Sequence, residues 1–194
     1  MGELGFTVFD TAIGRCGIIW SARGVVGVQL PERSERATRN RVLRRFPAAQ
    51  ETVPPVAMRR AIDDIGALSR GEPRDLGYVT LDSEGVPDFD RRVYALARDI
   101  RPGTTSSYGE IAEGLGDRGL ARDVAQALAH NPCPLIVPCH RVLAAGGKMG
   151  GFSAPGGVRT KLRLLSIEGA RYGNGAEPML FDCLPWAAAG RRRA

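Results

Sequence analysis

From Phe6 to Leu30 the apolar residues come in short runs broken by glycine (TVFDTAIGRCGIIWSARGVVGVQL), a pattern that predicts three strands joined by hairpins. Arg33 to Phe46 and Val56 to Ser69 carry the three-to-four-residue spacing of helices, the second opened by Pro54-Pro55. Tyr78 to Leu81 reads as a further short strand, and the breaker-rich stretch from Asp82 to Pro87 closes this first unit. Beyond it the periodicity is helical. Phe89 to Asp99 repeats apolar residues at Val93, Leu96 and Ala97, with Ile100 following, and Arg101-Pro102-Gly103 stops it. Ser107 can cap a helix from Tyr108 to Leu115, and another runs from Leu120 to His130 before Asn131-Pro132. The tight link Gly116-Asp117-Arg118-Gly119 between them is the signature of a helix-turn-helix.

The last of these helices has an unusual outer face. Leu120, Val124, Ala127 and Leu128 share one side and predict a core face, whereas Arg122, Ala125, Gln126 and Ala129 share the other. Small side chains around a projecting arginine suit close approach to a DNA minor groove, about 6 Å wide. The helix propensity of alanine is the plainer account of the same residues.

With 194 residues, 43% apolar and 25% charged, the chain has ordinary globular usage. Its apolar runs fall far short of the roughly 18 residues that cross a membrane, so no membrane partner is expected. The N-terminal stretch has no basic flank followed by an apolar core, and the cytoplasm is the expected location. The formal charge is +6, from 27 Lys and Arg against 21 Asp and Glu. It is uneven: 12 basic against 11 acidic groups over residues 1–85, 11 against 8 over residues 86–170, and 4 against 2 over residues 171–194. A basic second half suits a nucleic-acid partner as well as simple solubility.

The four cysteines, Cys16, Cys133, Cys139 and Cys183, are expected as thiols rather than a disulfide framework. A zinc site would have to recruit His130, Cys133, Cys139 and His140, whose spacing lacks the close cysteine pair of structural sites, so no metal is expected. Cys139 and His140, as neighbours, would point apart in an extended segment. The Pro- and Gly-rich stretch from Asn131 to Gly157 reads as a rigid, irregular shelf presenting Cys139, His140 and Arg141 after Pro138. Cationic neighbours favour thiolate, so Cys139 is a candidate nucleophile of lowered pKa; an inert buried thiol is the alternative. Gly147-Lys148 is no phosphate loop, since Val142 stands where its first glycine should be and Met149 replaces Ser or Thr. No nucleotide cofactor is expected.

The runs SYGEIA (Ser107 to Ala112), Arg122-Asp123-Val124-Ala125-Gln126-Ala127-Leu128, Asn131-Pro132, Pro138-Cys139-His140-Arg141-Val142, Gly150-Gly151-Phe152-Ser153 and Lys161 to Gly169 follow one another in a telling order. Together they resemble the O6-alkylguanine-DNA alkyltransferases, also called methylated-DNA-protein-cysteine methyltransferases, from about Leu81 to Gly169. The N-terminal unit is similar only in its outline of strands and helices. The resemblance implies an α+β protein of two domains: a ribonuclease-H-like α/β domain over residues 1–85 and a winged-helix-like helix-turn-helix domain over residues 86–170, then a tail over residues 171–194. It also implies single-turnover repair of O6-alkylguanine in double-stranded DNA by a monomer, through base flipping and irreversible transfer to Cys139, without a cofactor.

By the same resemblance His140 takes the cysteine proton through a water, Glu168 orients His140, and Asn131 braces the shelf. Tyr108 donates a hydrogen bond to the purine, Ser153 faces the alkylated oxygen, and the carbonyls of Cys139 and Val142 accept from the guanine amine. Arg122 fills the hole left by the base, Ala125, Gln126 and Ala129 face the groove, and Arg141 counts among the residues contacting substrate or DNA. Two other classes remain open on the residues: a binder that flips the base without dealkylating it, and a DNA-binding regulator in which Cys139 senses alkylating agents.

Several positions depart from the family pattern. Asp123 lies beside Arg122, Ala125 replaces a common glycine, and the loop after Ser153, Ala-Pro-Gly-Gly, is longer than the commoner form. Cys16 has no companion Cys or His nearby, so the structural zinc of some relatives is not expected. His130 and Cys133 read as structural. In the tail, Met179-Leu180-Phe181 and Trp186 could dock on the domain, and Arg191-Arg192-Arg193 could touch phosphates.

Overall fold

The computed structural model describes residues 3–171. Three antiparallel strands, β1 (Leu4–Thr11), β2 (Gly14–Ser21) and β3 (Gly24–Gln29), form a meander, and β4 (Ala49–Glu51) adds parallel to β1, giving the order β3-β2-β1-β4. Helices α1 (Glu35–Arg45) and α2 (Val56–Ser69) cover the two faces of this sheet. Successive side chains of β2 therefore serve opposite layers: Ile19 packs with Phe6 and Val42 on the α1 side, and Ile18 and Trp20 with Ala61 and Ile65 on the α2 side. That double coverage explains why β2 reads as a nearly unbroken apolar run. Ser34 starts α1 by accepting a hydrogen bond from the Ala37 amide at 3.2 Å.

Residues 78–81, expected as a strand, make only a single bridge between Leu81 and Val25. Gly24 crosses that segment so closely that a Cβ there would lie 2.5 Å from the Thr80 carbonyl, and Tyr78 turns outward to donate to Asp64 at 2.7 Å. The contact is a crossing rather than a ladder. β4, three residues long, was too short to show an alternation.

The second half holds α3 (Asp88–Arg98), α4 (Tyr108–Gly114), α5 (Ala121–Ala129) and α6 (Val158–Ile167), with a 3₁₀ turn at Arg118–Leu120. A reciprocal capping box fixes the start of α4: Ser107 Oγ accepts from the Glu110 amide, and Glu110 Oε2 from the Ser107 amide. Val124, Ala127 and Leu128 of α5 are buried as the helical spacing predicts, and the Tyr94 hydroxyl of α3 donates to the Ala127 carbonyl at 3.1 Å. Leu120 falls in the 3₁₀ turn and is half-buried. Strands β5 (Ser106–Ser107) and β6 (Val142–Leu143) pair in parallel beside them. Among the described residues no helix is long and apolar enough to cross a membrane.

One continuous core links the sheet to α3, α5 and α6, running from Ile18 through Val93 and Leu128 to Cys139 and Leu164. The outer edge of β3 docks on the shelf, with the Val28 amide donating to the Pro132 carbonyl at 2.9 Å. Gly27 eases this approach: a Cβ there would lie 3.4 Å from the Pro132 carbonyl, and only 2.9 Å from the Phe46 ring. The first half of the chain thereby becomes a wall beside Cys139.

Candidate active site

Asn131 organises the shelf. Its side-chain oxygen accepts from the Cys133 amide at 2.9 Å, and Nδ2 donates to the Val137 carbonyl at 2.8 Å and to Cys139 Sγ at 3.3 Å. Pro132, Pro134 and Pro138 restrict the backbone around it. Leu135 has φ 75°, the one positive φ outside glycine among the described residues, and its side chain is buried. Such a backbone costs about 1–2 kcal/mol and persists only where the surroundings dictate it.

Cys139–Arg141 is a turn of 3₁₀ helix, not an extended segment. At three residues per turn neighbouring side chains still diverge. Cys139, 9% exposed, lines a cavity of about 210 Å³, while His140 and Arg141 both reach Glu168 at the end of α6. Glu168 Oε1 is 3.0 Å from His140 Nε2, and the Arg141 guanidinium forks both carboxylate oxygens at 2.9 and 2.7 Å. Burial alone would raise the Glu168 carboxyl; these hydrogen bonds and charges outweigh it and hold the group at about 2. Burial pushes the His140 imidazolium the other way, below its ordinary value, against the pull of Glu168. At neutral pH the pair is thus a carboxylate and a neutral imidazole. Because a carboxylate can only accept, Nε2 carries the proton and Nδ1 the lone pair. Nδ1 is buried without a hydrogen-bond partner among the described residues, a base with its capacity unspent.

Two expectations are corrected. Arg141, placed among the residues touching substrate or DNA, is 5% exposed and committed to Glu168 and to the Ile100 carbonyl at 2.6 Å. The carboxylate that orients the imidazole holds the guanidinium as well, so neither faces outward. The Cys139 thiol is likewise not lowered: burial raises it, and the hydrogen bond from Asn131 and the charge of Lys161 only partly offset this. The side chains of His140 and Arg141, adjacent in sequence, turn to Glu168 and not to the sulfur.

Lys161 escaped the sequence reading. It is fully buried on α6, donates to the Val142 carbonyl at 2.6 Å and lies 5.9 Å from the centre of the Tyr108 ring. Burial lowers its ammonium to about 8, opposed by Cys139. The signal was a lysine in a chain whose cations are otherwise nearly all arginine. Tyr108, the first residue of α4, is half-buried; burial raises its phenol, which stays protonated and able to donate. Ser153 donates to the Ala129 carbonyl at 2.8 Å, tying the long loop to the end of α5.

The outer face of α5 emerges as the helical spacing predicts: Arg122, Gln126 and Ala129 are exposed and Ala125 half-buried. Arg122 and Ala125 line a cleft of about 720 Å³ together with Tyr108, Arg118 and Arg171. Val142 has its side chain fully buried, and its amide donates to the Cys139 carbonyl. His130 is exposed. Cys16 and Cys133 are buried with thiols pushed up to about 12, which makes them poor nucleophiles. Met179, Leu180, Phe181, Trp186 and Arg191 to Arg193 lie outside the described residues.

Known proteins resemble this chain over most of its length. The family model described as 6-O-methylguanine DNA methyltransferase, DNA binding domain, matches residues 88–170. A methylated-DNA–protein-cysteine methyltransferase of Methanothermobacter thermautotrophicus is 34% identical over 79% of this chain and 78% of its own. One from Mycobacterium tuberculosis is 43% identical over 68% of this chain and 76% of its own. The crystal structure of Mycobacterium tuberculosis O6-methylguanine methyltransferase superposes with a TM-score of 0.68 at 33% identity, covering 93% of this chain and 100% of that one. Mycobacterium tuberculosis OGT in complex with DNA gives 0.67 at 33% identity, covering 88% and 96%. This chain belongs to the methylated-DNA–protein-cysteine methyltransferase family.

Proposed function

We propose that this protein repairs O6-alkylguanine in double-stranded DNA by moving the alkyl group irreversibly onto Cys139. The observation that carries the reading is the Cys139–His140–Glu168 arrangement: a thiol at a cavity, a neutral imidazole in the same turn and a carboxylate fixing its tautomer. Nδ1 of His140 takes the thiol proton through a water. Sγ attacks the saturated carbon in line, the S–C bond forms as the C–O6 bond breaks, and the electron pair leaves on the purine. Tyr108 donates to the purine as that charge develops, and the proton released by the thiol finally neutralises the guanine. Lys161 stabilises the transient thiolate. Asn131 holds the sulfur in place, Ser153 faces the alkylated oxygen, and the carbonyls of Cys139 and Val142 accept from the guanine amine.

Access requires flipping, because O6 is shielded inside the stacked duplex; an alkylated guanine pairs poorly and costs less to extrude. Arg122 enters the stack in place of the base while Ala125, Gln126 and Ala129 lie along the minor groove. The sheet order and the helix-turn-helix support a ribonuclease-H-like domain over residues 1–85 and a winged-helix-like domain over residues 86–170. The protein acts as a monomer in the cytoplasm, where thiols stay reduced. A thioether has no easy hydrolytic exit, so each molecule works once. Titrating a methylated duplex against the protein checks this: lesion removal is expected to stop at one equivalent. No removal, as a base-flipping binder or a sensing regulator would give, contradicts the reading, and so does continued turnover.

A further inference from the structure

The cavity at Cys139 is larger than a methyl group needs. Its roughly 210 Å³ equals about seven water volumes. Ser153, set against the alkylated oxygen above, lines it, whereas Tyr108 and Val142, set along the purine edge, do not. On the roles proposed for Cys139 and Ser153, both of which line it, the space lies where the substituent on O6 projects. Phe152 and Pro134 give it an apolar flank, and its far wall comes from the first half of the chain, from Gln29 on β3 and from Arg41 and Arg45 on α1. Among the described residues no Asp or Glu lines it. Arg39, on the same helix, is taken up by Glu35 and Glu51. Arg45 instead leans on the Phe46 ring at 5.3 Å and donates only to the Gln29 side chain at 3.4 Å, and no carboxylate of the described residues meets Arg41 or Arg45.

Building on the transfer reaction above, we propose that this cavity is a subsite for O6 substituents that end in a carboxylate, with Arg41 and Arg45 as its specificity-determining residues. A guanidinium grips a carboxylate through two parallel hydrogen bonds, which a neutral chain of equal length cannot return. The reaction is unchanged: Sγ bonds the first carbon of the substituent, the C–O6 bond breaks with its electron pair on oxygen, the purine gains the proton, and the carboxylate remains on the resulting S-carboxyalkyl cysteine.

The test compares single-turnover rates on duplexes bearing O6-(3-carboxypropyl)guanine, O6-(3-carbamoylpropyl)guanine and O6-methylguanine. The parent protein should prefer the acid over the amide by about tenfold or more, the scale of one charge-assisted hydrogen-bond pair. Arg41→Gln/Arg45→Gln should bring that ratio close to one, and Arg41→Lys/Arg45→Lys should restore part of it. A ratio near one in the parent, or an unchanged ratio in the glutamine variant, overturns the proposal. Equal slowing of all three lesions also overturns it, because that is how arginines serving DNA phosphates would behave. Methyl transfer in the same assay separates the two readings: its absence removes the reaction itself, its presence with a ratio of one removes only the subsite.

Discussion

Lys161 occupies a position where a charge is costly, and its single hydrogen bond to Val142 does not repay full burial. In the mechanism proposed here it answers the thiolate that forms when His140 removes the proton. Lys161→Met keeps the packing and removes the cation, so the rate at neutral pH is expected to fall at least about tenfold, one unit of thiol pKa. Its pH profile should also lose the decline expected as the parent's Lys161 deprotonates near pH 8. Stopped-flow transfer rates between pH 6 and 9 would show both. Glu168 makes the complementary case. Its folded carboxyl, at about 2, lies below the ordinary 4.5, so it contributes stability that is fully present above 4.5 and lost as pH falls towards 2. That contribution is roughly 3 kcal/mol. Glu168→Gln leaves Arg141 buried and unpaired, which costs about 3–5 kcal/mol, and its acid-unfolding curve should lack the loss between pH 4.5 and 2. At this scale Cys139, His140 and Asn131 were legible because motif spacing marks them. Arg141 was misplaced because charge at neighbouring positions does not say which way a 3₁₀ turn points it, and Lys161 went unread because no motif marks a cation buried on α6.

Helix α4 carries Tyr108 at its first position, so the capping box that starts the helix also aims the phenol. Ser107→Ala should cost about 0.5–2 kcal/mol in thermal or urea unfolding and slow transfer beyond any loss of folded protein. β3 is the other element with two duties: it completes the sheet and holds the shelf through Pro132. Gly27→Ala drives a methyl into the Phe46 ring, an overpacking penalty of about 1–3 kcal/mol, and calorimetry should record a Tm lower by a few degrees. The meander, α2 and the helix-turn-helix could be read from the chain because their periodicity or punctuation is strong. α6 could not, since Arg159, Lys161 and Arg163 disguise its buried face, and β4 and β5 are too short to carry a period.

Across the whole molecule, two surfaces with different tasks meet at one sulfur. In the reaction proposed above, the α5 face meets the duplex, and the shelf, braced against the sheet, holds the chemistry. Arg122→Ala should therefore slow transfer from a methylated duplex far more than from free O6-methylguanine, because its proposed task is to keep the vacated stack open; equal rates on duplex for parent and variant would remove that role. The family assignment followed from motif order over the second half, but the participation of the first half in the cavity wall did not, since Gln29, Arg41 and Arg45 carry no motif and come to Cys139 only through tertiary docking. The most direct test of the account is the intact mass of the protein, with peptide mapping, after incubation with methylated duplex. The account predicts a gain of one methylene unit, located on Cys139 and absent from Cys139→Ala. An unchanged mass, or a methyl group found on Cys16, Cys133 or Cys183 instead, would contradict it.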